Sequence, residues 1–333
     1  MPNSLRKIIK IFIPLILGIV ILFFLYRNTN FSELWNIIKG ANWWILSFSL
    51  IFGLMGNVFR GVRWNLLIKP LGYQPKASHL VYAVLGSYAV NFAIPRAGEL
   101  WRCGMVFKKE KIPFQKLIGT IVIDRLFDVI MVGLFFLVAF VFNVKVFYKN
   151  QKLFNLPHWL TSIELYISVL LVLIIIVSGL MIFKNNRIVQ RIRNFFIEMW
   201  CDMIKVWQMR EKKRFILYSF CIWISYFLYF YITFYAFDFT FNLGIAAGLF
   251  VFTINSISMS IPSNGGLGPW QFATVLGLRA YMVNLENAKA FATAVFAFQS
   301  IWIVICGLFG IVMLSAGKEN RQSKNPIIDK NEL

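Results

Sequence analysis

The chain alternates long apolar runs with short charged segments. Runs over 8–26, 43–60, 118–142, 163–183, 215–237 and 288–314 each approach the roughly 20 apolar residues that a helix needs to cross about 30 Å of hydrocarbon. Two more, 77–94 and 243–261, are long enough too, but both run into a proline, at Ile94-Pro95 and Ile261-Pro262. Proline lacks the amide donor and clashes with the preceding turn, so a break is expected at each. Residues 184–214 differ in kind. Ile188, Ile192, Phe195, Met199, Met203 and Val206 recur there at three- and four-residue steps among nine Lys/Arg, which predicts an amphipathic helix on the membrane surface. A shorter equivalent, Phe31, Leu34, Trp35 and Ile38, follows the first run. The polar stretch 318–333 reads as a disordered cytoplasmic tail.

Charge decides what the two broken runs do. If all eight runs cross with the N-terminus inside, 14 Lys/Arg lie inside and 19 outside. If 77–94 and 243–261 dip in and return, 26 lie inside and 7 outside, with Arg125 in the membrane. Basic residues concentrate on the cytoplasmic side, so the second arrangement is selected. Residues 1–142 then read span, span, re-entrant hairpin, span, and 163–314 repeat that order from the opposite side. The expected fold is all-α and polytopic: six full spans plus two re-entrant helical hairpins in an inverted-topology repeat, within a membrane domain over 1–317. Both termini, 96–116 and 184–214 are expected to be cytoplasmic. The breaks themselves match: Ile94-Pro95-Arg96-Ala97-Gly98-Glu99-Leu100 against Ile261-Pro262-Ser263-Asn264-Gly265-Gly266-Leu267.

Composition agrees. Hydrophobic residues make up 59% and charged residues 14%, against about 45–50% and about 25% in soluble domains, which excludes a soluble globular or a disordered chain. A net charge of +20 would suggest nucleic acid in a soluble protein. Here the basic residues flank apolar runs, so the partner expected is the anionic inner membrane surface. The four cysteines form no CxxC pair and there are two histidines, so neither a metal site, a cofactor nor a disulfide framework is expected. No small-x-small cleavage site follows the first run, which is therefore read as a retained span.

Charges within apolar runs are costly and mark function by default. Arg96, Glu99 and Arg102 follow the first break, and Asp124, Arg125 and Asp128 lie in the run 118–142. Asp124 and Asp128, four apart, share a helix face. Two such acids stay ionised only with partners, and Arg96, Arg102 and Arg63 are the candidates. The resulting network suits either a charged lipid headgroup or a structural pin for the first hairpin. Arg63 and Trp64 follow the second run, where lipid-phosphate binding and simple interfacial anchoring are both open. Asn91 lies four before the first proline. Around the second, Ser263, Asn264, Gly265, Gly266, Gly268 and Gln271 bring close-approaching backbone and freed amides that attract phosphate.

Four ordered motifs carry a resemblance: Gly61-x-Arg63-Trp64-x-x-Leu67; Asn91 to Pro95, Arg96, Gly98, Glu99 and Arg102; Asp124-Arg125-x-x-Asp128; and Pro262-x-x-Gly265-Gly266-Leu267-Gly268. Over roughly residues 5–315 the chain resembles the transmembrane domain of the lysylphosphatidylglycerol synthases, also called flippase-like domain proteins. The resemblance implies a bacterial or archaeal inner-membrane protein. In two-domain relatives this region moves aminoacylated phosphatidylglycerol between leaflets, and a soluble domain makes it. Such a synthase domain is expected to be absent here. Where the family usually carries a glutamate after the second glycine loop, this chain has Gln271. The reading is a lipid transporter moving a phospholipid or polyprenyl-type lipid. Its alternatives are a scaffold for a separate lipid synthase, docking through 184–214, and a membrane enzyme using Glu99, Asp124 and Asp128.

Overall fold

A computed structural model describes residues 16, 18–27, 29–149 and 209–316. The chain divides into two compact units, residues 1–144 with 213–333, and residues 145–212. The described part of the first is helical throughout, with no strand: α1 (residues 18–26), α2 (Phe31–Lys39), α3 (Trp43–Ile68), α4 (Ala77–Ala93), α5 (Gly98–Glu110), α6 (Phe114–Lys149, which runs on past the unit's edge), α7 (Lys212–Tyr231), α8 (Asp238–Phe241), α9 (Ile245–Ser258), α10 (Pro269–Ala280) and α11 (Leu285–Ala316). Four stretches are long and apolar enough to cross a membrane: Trp43–Leu71, Phe114–Val144, Lys212–Ala236 and Leu285–Ala316. They match four of the six expected spans. The run 163–183, most of the helix expected over 184–214, the tail 318–333 and part of the first run lie outside the described residues.

The long helices are apolar all round, and many large side chains point outward, Val141, Phe142, Ile301 and Val312 among them. A bundle in water would bury that surface; in lipid it is the solvated face. Between helices the packing uses small residues. Gly307 and Gly310 of α11 leave no room for a Cβ against the α4 backbone at Leu85 and Tyr82, and Gly61 lets α3 approach the backbone of Val81, as expected where apolar side chains gain little by leaving lipid. Asn30 and Asn42 cap α2 and α3, each accepting from two following amides, which satisfies donors a helix start leaves free. In α2, Leu34 and Ile38 are buried while Phe31 and Trp35 are exposed; four-residue spacing puts each pair on one face.

Two boundaries differ from the sequence reading. The second span continues eight residues beyond Arg60, to Ile68, because Arg60 and Arg63 are neutralised inside the bundle and do not mark its end. The third extends from Phe114 and is interrupted at Asn143 (φ −122°, ψ 16°). There the Asn143 amide donates to the carbonyls of Ala139 and Ala246, and its oxygen accepts from Tyr281.

The broken runs form helical hairpins. In the first, His79 near the start of α4 bonds Glu110 at the end of α5 (2.5 Å), so both arms begin and end together. Lys109 in the same place reaches the carbonyl of Ser315, at the end of α11. In the second hairpin, Ala246 at the start of α9 and Tyr281 just after α10 both meet Asn143, at the far end of α6. The bases of the two hairpins thus lie at opposite ends of the bundle. With 12 to 17 residues each, their arms rise about 18–26 Å, against about 30 Å of hydrocarbon.

Candidate functional site

The hairpin tips touch. After Ile94-Pro95, Arg96 takes a left-handed conformation (φ 61°), uncommon for a residue with a side chain. Its guanidinium donates to the carbonyl of Ser260 at 2.5 Å, on the other tip. In return Asn264 Nδ2 donates to the carbonyl of Phe92 at 3.1 Å, and Gly265 (φ 61°) packs against the Phe92 ring where a Cβ would collide at 2.4 Å. Each tip therefore satisfies backbone of the other that its own broken helix leaves free. Asn91, at the base of the first tip, accepts from the Gly98 amide at 2.8 Å and so starts α5.

Beside the tips lies an ion network. Arg63 of α3, 0% exposed, directs Nε and Nη2 at Asp124 (2.9 and 2.7 Å), Nη2 also at Asp128 (2.8 Å), and Nη1 at Ser219 of α7 (3.0 Å). The planar fork of arginine is what allows one side chain to serve two carboxylates and a hydroxyl. Arg60, one turn earlier, holds the other oxygen of Asp128 at 2.9 Å. Arg102 of α5 lies 3.7 Å from Asp124 and stacks 4.8 Å from the centroid of Trp64, whose Nε1 donates to Thr120. The Gly61-x-Arg63-Trp64 motif thus closes a helix crossing, centres the network and shelves Arg102; Trp64 is fully buried rather than interfacial. Arg125 faces the other way, to Glu99 at 2.5 Å and Asp128 at 3.2 Å. This pair is the accessible edge of the network, with side chains 41% and 39% exposed.

Glu99 and Arg125 open onto a cavity of about 440 Å³, within the range of about 300–1,000 Å³ typical of small-molecule sites. Both hairpins wall it, the first through Tyr88, Asn91 and Phe92, the second through Asn255, Ser256 and Gly265. Helices α3, α7 and α11 complete it with Asn57, Trp223, Tyr229, Gln299 and Ser300. Of the residues singled out in the sequence, Asn91, Glu99, Arg125 and Gly265 line the cavity, while Arg63, Arg102, Asp124 and Asp128 are buried in the network behind it.

Two expectations are corrected. Arg96 was expected to pair with the buried acids; the left-handed turn aims it at the opposite tip instead. The second glycine loop was expected to offer free amides to a phosphate. The Gly268 amide is already taken by Gln271 Oε1 at 2.8 Å, so Gln271 caps its own helix. Gly268 (φ 89°) lies where a Cβ would come within 2.6 Å of the Gly18 carbonyl, so its lack of a side chain serves the approach of α1. Gly266 (φ 90°) packs under Met259, and Ser263 bonds the carbonyl of its own Ile261. The residue missed was Arg60. Its signal was present: one turn from Arg63, it pairs two cations with the two acids four apart on α6.

Residues 11–307 match the family described as the lysylphosphatidylglycerol synthase TM region. The chain belongs to that family. The chain is similar to the UPF0104 membrane protein MJ1078 of Methanocaldococcus jannaschii, 25% identical over 71% of this chain and 98% of that protein. UPF0104 membrane protein MJ1595 of the same organism is 25% identical over 37% of each chain. Glycosyltransferase AglD of Haloferax volcanii is 24% identical over 40% of this chain; the match spans only 21% of that longer protein. No solved structure matches.

Proposed function

We propose that the protein carries the headgroup of a membrane lipid between leaflets through the cavity shared by the two hairpins, its acyl or prenyl chains remaining in lipid. One observation carries this: a cavity bounded by both tips bears an accessible ion pair, Glu99–Arg125, on an otherwise buried network. A lipid phosphate exchanges with Glu99 for Arg125, because a charge-assisted bond to the guanidinium suits either anion. The clamps Arg96–Ser260 and Asn264–Phe92 close the tips, and their release toward one side at a time gives alternating access. In this reading the hairpins are re-entrant, the two halves form an inverted repeat, the termini are cytoplasmic in a bacterial or archaeal cell membrane, and the chain moves lipid without altering it.

The test is the purified protein in liposomes with a fluorescent phospholipid in both leaflets, read by quenching of the outer leaflet. Wild type is expected to expose inner-leaflet probe to the quencher, and Arg125→Gln to slow this by about tenfold or more, the size of a lost charge-assisted bond. A wild-type rate equal to empty liposomes sinks the reading. A second reading, a membrane partner of a separate synthase, is supported by the likeness to a segment of a protein named as a glycosyltransferase. Under it, deletion changes lipid composition and leaves leaflet distribution alone.

A further inference from the structure

We infer that the inner part of the cavity is a subsite for an uncharged, hydroxyl-bearing headgroup carried on a single phosphate. The inference rests on the lipid-transport reading and names its substrate class. Asn255 of α9 lines the cavity, is 3% exposed, and has a buried Nδ2 with no hydrogen-bond partner. Its oxygen lies 3.1 Å from the Thr274 hydroxyl, which also reaches the Trp270 carbonyl at 2.9 Å, and its Nδ2 is the end left over. An unpaired buried donor costs about 1–3 kcal/mol, and what satisfies it is an acceptor such as a hydroxyl oxygen. An ammonium group, a donor itself, cannot.

The neighbours fit the same chemistry. The Ser256 hydroxyl donates to the Phe252 carbonyl, leaving its lone pairs to accept. Gln299 donates its Nε2 to the Tyr229 carbonyl, leaving the side-chain oxygen to accept. Trp223, Trp270 and Phe296 line the wall, and aromatic surface suits the C–H faces of a polyol or sugar ring. A set of donors and acceptors on aromatic walls reads vicinal hydroxyls.

Charge selects the rest. Among the described residues Glu99 is the only carboxylate lining the cavity, and Arg125 occupies it at 2.5 Å. Across the network Arg60, Arg63, Arg102 and Arg125 face Asp124, Asp128 and Glu99, an excess of one positive charge. A phosphate at Arg125 balances that excess; a headgroup of net positive charge adds to it. Glycerol, inositol or a hexose on phosphate meets both conditions, whereas aminoacylated and choline headgroups do not.

The experiment compares headgroups in liposomes holding the full-length protein. The probes are fluorescent phosphatidylglycerol, a hexosyl-phosphate polyprenol, phosphatidylcholine, lysyl-phosphatidylglycerol and phosphatidylmethanol, which keeps the phosphate and its charge but has no hydroxyl. Wild type is expected to move one or both of the hydroxyl-bearing probes at least about tenfold faster than phosphatidylmethanol, the worth of one to two net hydrogen bonds; the faster of the two identifies a glycerol or a sugar source. Asn255→Leu is expected to shrink that preference below about threefold, and a cooperative thermal unfolding transition in detergent shows that the variant is folded. Ser256→Ala is the second variant, with a smaller loss in the same direction. Phosphatidylmethanol, phosphatidylcholine or lysyl-phosphatidylglycerol moving as fast as both hydroxyl-bearing probes overturns the inference and leaves the transport reading standing. If no probe moves, the transport reading falls. Native mass spectrometry then measures binding of phosphatidylglycerol against phosphatidylmethanol to the purified protein, where equal binding overturns the subsite and a preference supports it.

Discussion

Asp124 and Asp128 sit inside a helix that is otherwise apolar, and the reason they survive there is Arg63. It has no exposed surface, and the four polar groups it serves sit on two other helices. Losing it leaves two buried carboxylates short of a partner, so Arg63→Ala is expected to cost about 3–5 kcal/mol and to lower the midpoint of thermal unfolding in detergent. Arg63→Lys should recover only part, because a point charge cannot replace a fork. Lys108→Ala, on an exposed position, should leave the midpoint unchanged. At Asp128, which takes Arg60, Arg63 and Arg125 together, Asn keeps hydrogen bonding where Leu does not, so Asp128→Asn should give the higher yield of folded protein. Equal yields for the two would show that these acids do not hold the bundle. Much of this was legible beforehand: acids four apart demand cations. Which cations supply them was not, since Arg96 and Arg60 are separated by tertiary geometry that spacing does not encode. A left-handed turn removes one, and a helix continuing past its expected end brings in the other.

Among the helices, the proline breaks were readable because proline acts locally, through a missing donor and a clash with the preceding turn. What the glycines after them do was not readable, because close approach depends on a distant partner. Gly98 shows it: a Cβ there would stand 2.1 Å from the Ser87 carbonyl across the hairpin. Gly104, in the same helix, has nothing within 4 Å. Gly98→Ala should therefore destabilise by about 1–3 kcal/mol as the arms are forced apart. Gly104→Ala should be neutral or stabilising by up to about 1 kcal/mol, since it only removes chain entropy from a helix interior. Thermal unfolding of the two variants side by side checks this, and a reversed order would contradict the packing of α4 on α5. The end of α3 was misjudged for the opposite reason: hydropathy ends a span at the first charge, whereas the paired charges of Arg60 and Arg63 let the helix run on.

Across the whole molecule, the claim is that two hairpins entering from opposite sides meet around one cavity and pass a lipid headgroup through it. The sidedness is tested by labelling. Lys108→Cys, beside the base of the first hairpin, should react with an impermeant thiol reagent only after the membrane is opened. Met282→Cys, at the base of the second and 77% exposed, should react in intact cells. Reaction of both from outside would mean that the hairpins do not enter from opposite sides. The passage itself is tested most directly by filling the cavity. Ser300 of α11 lines it, and Leu308, two turns on, faces outward. In liposomes, Ser300→Trp should abolish exchange of fluorescent phosphatidylglycerol between leaflets while keeping the wild-type unfolding midpoint, and Leu308→Trp should exchange at the wild-type rate. Undiminished exchange by the Ser300→Trp protein would contradict the passage of lipid through this cavity.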